Sequence, residues 1–134
     1  MDVFVYGTLT ESAQVDRLLD DWQFGPRVEL RGCHRADGEY PTLVPGGDCR
    51  GRILQTSEMD TLDRYEGVER GLYTRVSVPW ERDDEAVSRD VQVYVGDPER
   101  LDVAEPVSWP GEGPLFERVE TYCRSECTVA RLDD

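Results

Sequence analysis

Val3-Phe4-Val5-Tyr6-Gly7-Thr8-Leu9-Thr10 is the stretch from which the rest of the chain follows. The unbroken apolar run from Val3 to Tyr6 predicts a strand covered on both faces, because a strand with one wet face alternates. Glycine directly after such a strand admits a sharp turn with positive φ, and Thr10 or Ser12 is placed to cap a helix. In that helix Val15, Leu18, Leu19 and Trp22 recur at helical spacing, while Asp16, Arg17, Asp20 and Asp21 take the wet side. A strand, glycine turn and helix in this order aim several free N–H groups at one spot, which suits a carboxylate or phosphate. Many such turns merely connect, so the motif needs support from elsewhere.

Support comes from Leu62-Asp63-Arg64-Tyr65-Glu66-Gly67-Val68. If Glu58–Glu66 is a short helix, each residue rotates by about 100°. Met59, Leu62 and Tyr65 then share one arc with Glu66 between Met59 and Leu62, and Asp60, Thr61 and Arg64 fall opposite. Burying a carboxylate costs several kcal/mol, so an acid inside an apolar stripe is paired, protonated or used. Glu66 is therefore the best catalytic candidate in the chain. The alternative is a structural glutamate bonded to backbone groups or to an arginine.

Outward from these two stretches, Arg27–Arg31 alternates Val28 and Leu30 with charged neighbours, predicting a strand that Gly32 bulges or ends. Asp37-Gly38-Glu39-Tyr40-Pro41 predicts a loop, and Pro45-Gly46-Gly47-Asp48 a tight turn between strands. Arg50–Thr56 is the next strand, and Ser57 with Asp60 three residues on has the form of a helix start. Gly67 is placed as a helix C-cap and Gly71 as a second break. Leu72, Val76, Val78 and Trp80 alternate with Tyr73, Arg75 and Ser77; a charged hairpin connection over Glu81–Arg89 leads to Val91, Val93 and Val95. Residues Glu99–Pro114 predict an irregular surface segment anchored by Trp109. Leu115, Phe116, Val119, Tyr122 and Cys123 form a helical stripe, and Thr128–Leu132 a last short strand. About six strands and at least two helices predict a single α+β domain, residues 1–134, around a small, mainly antiparallel barrel.

The chain carries 29 acidic residues against 15 basic ones, a net charge of −14, and the basic set is entirely arginine. This balance argues against nucleic acid and anionic membranes as partners. A uniformly acidic surface suits molar salt, where the Debye length falls to about 3 Å and self-repulsion is screened; the source expected is a halophilic archaeon. Nothing at the amino terminus resembles a signal peptide and no apolar run is long enough to span a bilayer, so a soluble, cytoplasmic protein is expected. Of the four cysteines only Cys123 and Cys127 are close in sequence, with Cys33 and Cys49 set apart. Structural zinc sites bring ligands in two close pairs, so buried reduced thiols are expected and no metal. His34, between Cys33 and Arg35, is expected at the surface rather than as a base.

Tyr6-Gly7-Thr8-Leu9, Tyr40-Pro41 with Gly51 downstream, Leu62 to Glu66-Gly67-Val68, and Gly71-Leu72-Tyr73-Thr74-Arg75 occur in an order that resembles the gamma-glutamylcyclotransferase-like superfamily, including proteins of the gamma-glutamylamine cyclotransferase type. The resemblance runs from about Val3 to Gly96. It implies a six-stranded barrel flanked by helices, with a cavity at one end. It also implies that Tyr6, Gly7, Thr8 and Leu9 bind the glutamyl part of a substrate, that Glu66 is catalytic, and that Tyr73 and Arg75 support the site. Beyond Gly96 the chain departs from the family's pattern, where the leaving-group part of the pocket would lie.

The chemistry so implied is attack of the α-amino group of a gamma-glutamyl unit on its own side-chain carbonyl, releasing an amine or amino acid and 5-oxoproline, a transferase- or lyase-type cyclisation. One carboxylate can take the proton of the ammonium and later protonate the leaving nitrogen, best when partial burial raises its pKa. Ring closure is intramolecular, so proximity contributes and no cofactor is required. Two other readings stand beside this one: a non-catalytic small-molecule binding domain on the same barrel, and a cysteine-based metal or redox protein.

Overall fold

The computed structural model describes residues 1–81 and 90–132. Six strands form one sheet: β1 (Asp2–Val5), β2 (Trp22–Ala36), β3 (Thr42–Thr56), β4 (Tyr73–Val78), β5 (Val91–Gly96) and β6 (Thr128–Arg131). Three α-helices, α1 (Ser12–Leu18), α2 (Met59–Glu66) and α3 (Leu115–Glu126), pack against it, and 3-10 turns occupy Thr8–Thr10 and Val68–Arg70. The strand order is β4-β5-β1-β3-β2-β6, antiparallel except for the parallel pair β1 and β5. Beyond β4 the chain reaches the far edge of the sheet. Trp80 bridges Val129 in parallel, Val129 N donates to Pro79 O at 3.0 Å, and Glu81 N donates to Val129 O at 2.8 Å. The sheet is thus curled toward a barrel, the α+β architecture expected from the sequence.

Both faces of β1 are covered, as its unbroken apolar run requires. Val3 and Val5 pack with Val15 and Leu19 from the first helical region and with Met59 and Leu62 of α2. Phe4 faces the opposite cluster, with Ile53, Val93, Trp109 and the α3 residues Val119 and Cys123. Burial of these side chains is worth about 1.5–3 kcal/mol each. The same double cover explains β5, where Gln92 and Tyr94 are buried along with the valines that alternate with them. Trp109 anchors its segment as expected, lying edge-on to Tyr122 at 5.4 Å while its carbonyl accepts from Arg118 Nη1 at 3.1 Å.

Several local expectations are corrected. The strand expected over Arg27–Arg31 is the middle of the much longer β2, interrupted by irregularities between Phe24 and Arg27 and between Arg31 and Cys33. An extra residue in one strand breaks the period-2 pattern, so the pattern is visible only between the bulges. Pro45–Asp48 is not a turn between strands but a bulge inside β3: Pro45 pairs with Cys33, Asp48 with Arg31, and Gly46 and Gly47 take φ of 95° and 70°. The hairpin turn lies instead at residues 37–41, where a loop was expected. Trp22 does not extend the stripe of α1; the helix stops at Leu18 and Trp22 opens β2, packing edge-on against Phe24. Neither Thr10 nor Ser12 caps α1: Glu11 holds that position without a side-chain bond, and Thr10 Oγ1 donates to Gly7 O at 2.6 Å. The connection expected over Glu81–Arg89 lies, from residue 82 onward, outside the described residues.

Candidate functional site

The end of β1 and the end of α2 meet at a cavity of about 330 Å³. Its walls include Tyr6, Gly7 and Leu9 from the first turn, Tyr73 and Tyr94 from β4 and β5, and Glu66. Tyr40, Pro41, Tyr65, Arg70 and Leu72 complete its rim, and Tyr40 and Tyr65 are 55% and 41% exposed. Tyr65 therefore lies beside the opening and not in the core arc expected from its spacing. Met59 and Leu62 alone among the three are buried.

Glu66 is the last residue of α2, and the backbone turns sharply after it because Gly67 adopts φ 75°, ψ 34°. Glycine takes that left-handed conformation without a steric penalty. At the other end of the helix, the Glu58 carboxylate accepts from Asp20 N at 2.9 Å and Asp21 N at 2.7 Å. Glu58 N in turn donates to Thr56 Oγ1 at 3.1 Å. The helix that carries Glu66 is consequently tied down at both termini, and not by the cap expected at Ser57.

A third tie crosses from the middle of α2 to the sheet. Asp63 receives Arg75 through Nε at 3.0 Å and Nη2 at 3.3 Å, and accepts from Tyr94 Oη at 2.6 Å. Arg75 also donates to Gln92 Oε1 at 3.4 Å, and Gln92 Nε2 donates to Ser77 Oγ at 3.0 Å. Arg75 is thus turned toward Asp63 and does not line the cavity. Asp63 escaped the sequence reading because a charged residue on a short helix looks solvated until its partners on two strands are known.

The tyrosine hydroxyls are committed to the scaffold. Tyr6 Oη donates to Tyr94 O at 2.9 Å and Tyr73 Oη to Pro41 O at 2.6 Å. Burial, with Glu66 close by, raises the pKa of Tyr6 and Tyr73; Tyr94 is raised by burial and by its bond to Asp63. All three stay neutral at physiological pH. Glu66 differs from them. Burial pushes its carboxyl from 4.5 up to about 7, with no ion pair or hydrogen bond to the charged form among the described residues to offset it. Its place at the negative end of α2 acts in the same direction.

Thr8 and Leu9 lie in the 3-10 turn, whose Thr10 N closes on Gly7 O at 3.1 Å. The first N–H groups of such a turn have no partner inside it. Gly7 is packed against Pro41, whose Cγ lies 3.4 Å from where a Cβ would stand. Of the residues singled out in the sequence, Tyr6, Gly7, Leu9, Tyr73 and Glu66 converge on one cavity. His34 lies elsewhere, exposed, between Gly46 O at 2.8 Å and Glu105 Oε2 at 3.0 Å.

A curled six-stranded mixed sheet with its cavity at the end of the first strand is a fold of the cyclotransferase type. The chain belongs to the gamma-glutamyl cyclotransferase, AIG2-like family, whose model matches residues 3–111. AIG2-like protein A of Arabidopsis thaliana is 30% identical over 99 residues, covering 70% of this chain and 60% of that protein. The chain thus matches less than two thirds of that relative's length. A solved structure described as gamma-glutamyl cyclotransferase superposes with a TM-score of 0.62 at 16% identity, covering 91% of this chain and 97% of the other. At that identity the likeness is one of fold. A solution structure from Arabidopsis thaliana is 29% identical with a TM-score of 0.52, covering 87% of this chain and 70% of the other. Among the described residues no helix is long and apolar enough to cross a membrane.

Proposed function

We propose that the protein is a gamma-glutamyl cyclotransferase-type enzyme that converts a gamma-glutamyl amine, dipeptide or isopeptide to 5-oxoproline and a free amine, with Glu66 as general acid and base. The observation that carries this reading is a half-buried carboxylate, without a charge or hydrogen-bond partner among the described residues, whose pKa is raised to about 7 and which faces a cavity beside a 3-10 turn. A base poised near the working pH is half ionised there and can both accept and return a proton.

The substrate's α-ammonium must lose a proton before its nitrogen can attack. Glu66 takes that proton; the nitrogen closes on the gamma carbonyl, and the tetrahedral centre collapses by breaking the bond to the leaving nitrogen. Glu66, now protonated, delivers that proton to the leaving nitrogen; the restored carboxylate then takes the second proton of the ring nitrogen and passes it to the freed amine, which departs as an ammonium and leaves 5-oxoproline with a single N–H. The N–H groups of the Gly7–Leu9 turn hold the substrate's carboxylate or the developing oxyanion, either of which is anionic and suits such donors. Tyr6 and Tyr73 wall the reacting chain and exclude water, their hydroxyls fixed by Tyr94 O and Pro41 O. Arg75 acts through Asp63 by holding α2.

The leaving group faces the rim formed by Tyr40, Tyr65, Arg70 and Leu72, an aromatic and cationic edge open to solvent. The test is incubation in molar salt with a panel of gamma-glutamyl amines, dipeptides and isopeptides, following 5-oxoproline by mass spectrometry beside Glu66→Gln. Release by the wild type alone is expected. Equal release by the glutamine variant would remove Glu66 from the mechanism. Thermal protection by panel members without release would make the domain a binder.

A further inference from the structure

Away from the cavity, Cys33 comes together with Cys123 and Cys127, which lie far from it in sequence. The Sγ atoms of Cys33, Cys123 and Cys127 all lie within 4.8 Å of one another, with Cys33 and Cys127 at 3.5 Å. Cys123 and Cys127 are one turn apart at the end of α3, so they present their sulfurs on one face. Cys33 reaches them because Gly32, the β2 residue opposite the β3 bulge, has φ of 103° and brings the backbone against the helix end. A Cβ on Gly32 would meet Cys127 Sγ at 2.9 Å. All three residues are at most 1% exposed, and the Tyr122 hydroxyl closes the bulge by donating to Gly32 O at 2.7 Å.

We propose that Cys33, Cys123 and Cys127 form a buried three-thiolate site for a soft, low-coordinate metal ion, copper(I) being the one that fits best. Thiolate ligands select copper(I), zinc and iron–sulfur clusters over harder ions. An ion about 2.3 Å from three coplanar sulfurs holds them roughly 4 Å apart, close to the spacing found. Zinc prefers four ligands, and among the described residues no histidine, carboxylate or further cysteine joins the three. Cys49 is buried separately and remains outside the cluster. The carbonyl end of α3 lies at the same place, a field that favours a cation. The exposed Arg124, Ser125 and Glu126 form the turn over the sulfurs, and fraying of a helix end of this kind gives an ion its way in.

The test uses the full chain, reduced and titrated with copper(I) against a competing chelator, with thiolate-to-metal absorbance and X-ray absorption as readouts. One copper per chain with three sulfur neighbours is expected, unchanged in Cys49→Ser and weakened at least tenfold in Cys127→Ser. Loss of all copper to a weak chelator, or equal retention by Cys127→Ser, would reduce the cluster to three small buried hydrophobes. Should the serine variant fold poorly, the wild type answers by itself. Copper(I) is expected to shield Cys33, Cys123 and Cys127 from alkylation in mild denaturant while Cys49 reacts as before. Shielding of none, or of all four alike, would overturn the site, as would tighter binding of zinc than of copper(I).

Discussion

Replacing Glu66 by glutamine is expected to abolish turnover and, at neutral pH and above, to make the protein more stable. Burial holds the carboxyl's pKa at about 7 against an ordinary 4.5. Below pH 4.5 both folded and unfolded chains carry the proton and the group costs nothing. As pH rises from 4.5 to 7 the unfolded chain releases its proton while the folded one keeps it, so stability falls; above 7 the cost is complete. The gap between 4.5 and about 7, at about 1.36 kcal/mol per pH unit, amounts to about 3 kcal/mol. Glutamine keeps the shape and has no charge to desolvate. The variant should therefore exceed the wild type by about 2–3 kcal/mol at pH 8, a rise in Tm of roughly 6–10 °C, and match it at pH 4. Thermal melts of both proteins followed by calorimetry from pH 4 to 8.5 in molar salt measure this directly. A gap in Tm that does not change with pH, or a variant less stable at pH 8, would refute the buried-carboxylate argument and with it the choice of base.

If the same carboxylate accepts the substrate's proton, kcat/KM for a gamma-glutamyl substrate rises through about pH 7 and levels off, whereas a profile flat from pH 5 to 9 excludes it. Asp63→Asn breaks the paired contact with Arg75 and changes the acceptor for Tyr94; a loss of about 1–3 kcal/mol is expected in denaturant unfolding, and an unchanged midpoint would mean the tie is ornamental. Gly96→Ala drives a methyl into Leu101 and toward the Tyr73 ring at 3.1 Å, so about 1–3 kcal/mol is lost and the cavity wall shifts; wild-type stability and KM would refute that packing. With a net charge of −14, the protein should lose Tm steadily as salt is diluted from molar to millimolar concentration, and a Tm indifferent to salt would discard the halophile reading.

Much of this protein is written in local pattern. The Val3–Tyr6 run, the Gly67 cap after Glu66, the valines of β5 and the α3 stripe each obey one periodicity and can be read without neighbours. Glu66 stands out for the same reason: a carboxylate interrupting an apolar stripe is a local contradiction, and in the structure that carboxylate lies on a cavity wall. What the tertiary structure decided depends on residues meeting across the sheet. Bulges in β2 between Phe24 and Arg27, and in β3 at Gly46–Gly47 opposite Gly32, erase the alternation that would have revealed the full length of β2 and β3. Asp63, on a helix, acquires its role from Arg75 and Tyr94 on two strands, and Tyr40 and Arg70 join the cavity rim from the hairpin turn at 37–41 and the 3-10 turn Val68–Arg70. The cysteines make the point most plainly. Spacing in the chain separates Cys33 from Cys123 and Cys127, yet Gly32 against the end of a helix sets their sulfurs side by side. Periodicity records which face of an element is buried; which elements meet there is decided by sheet order and register, and no single stretch of sequence contains either.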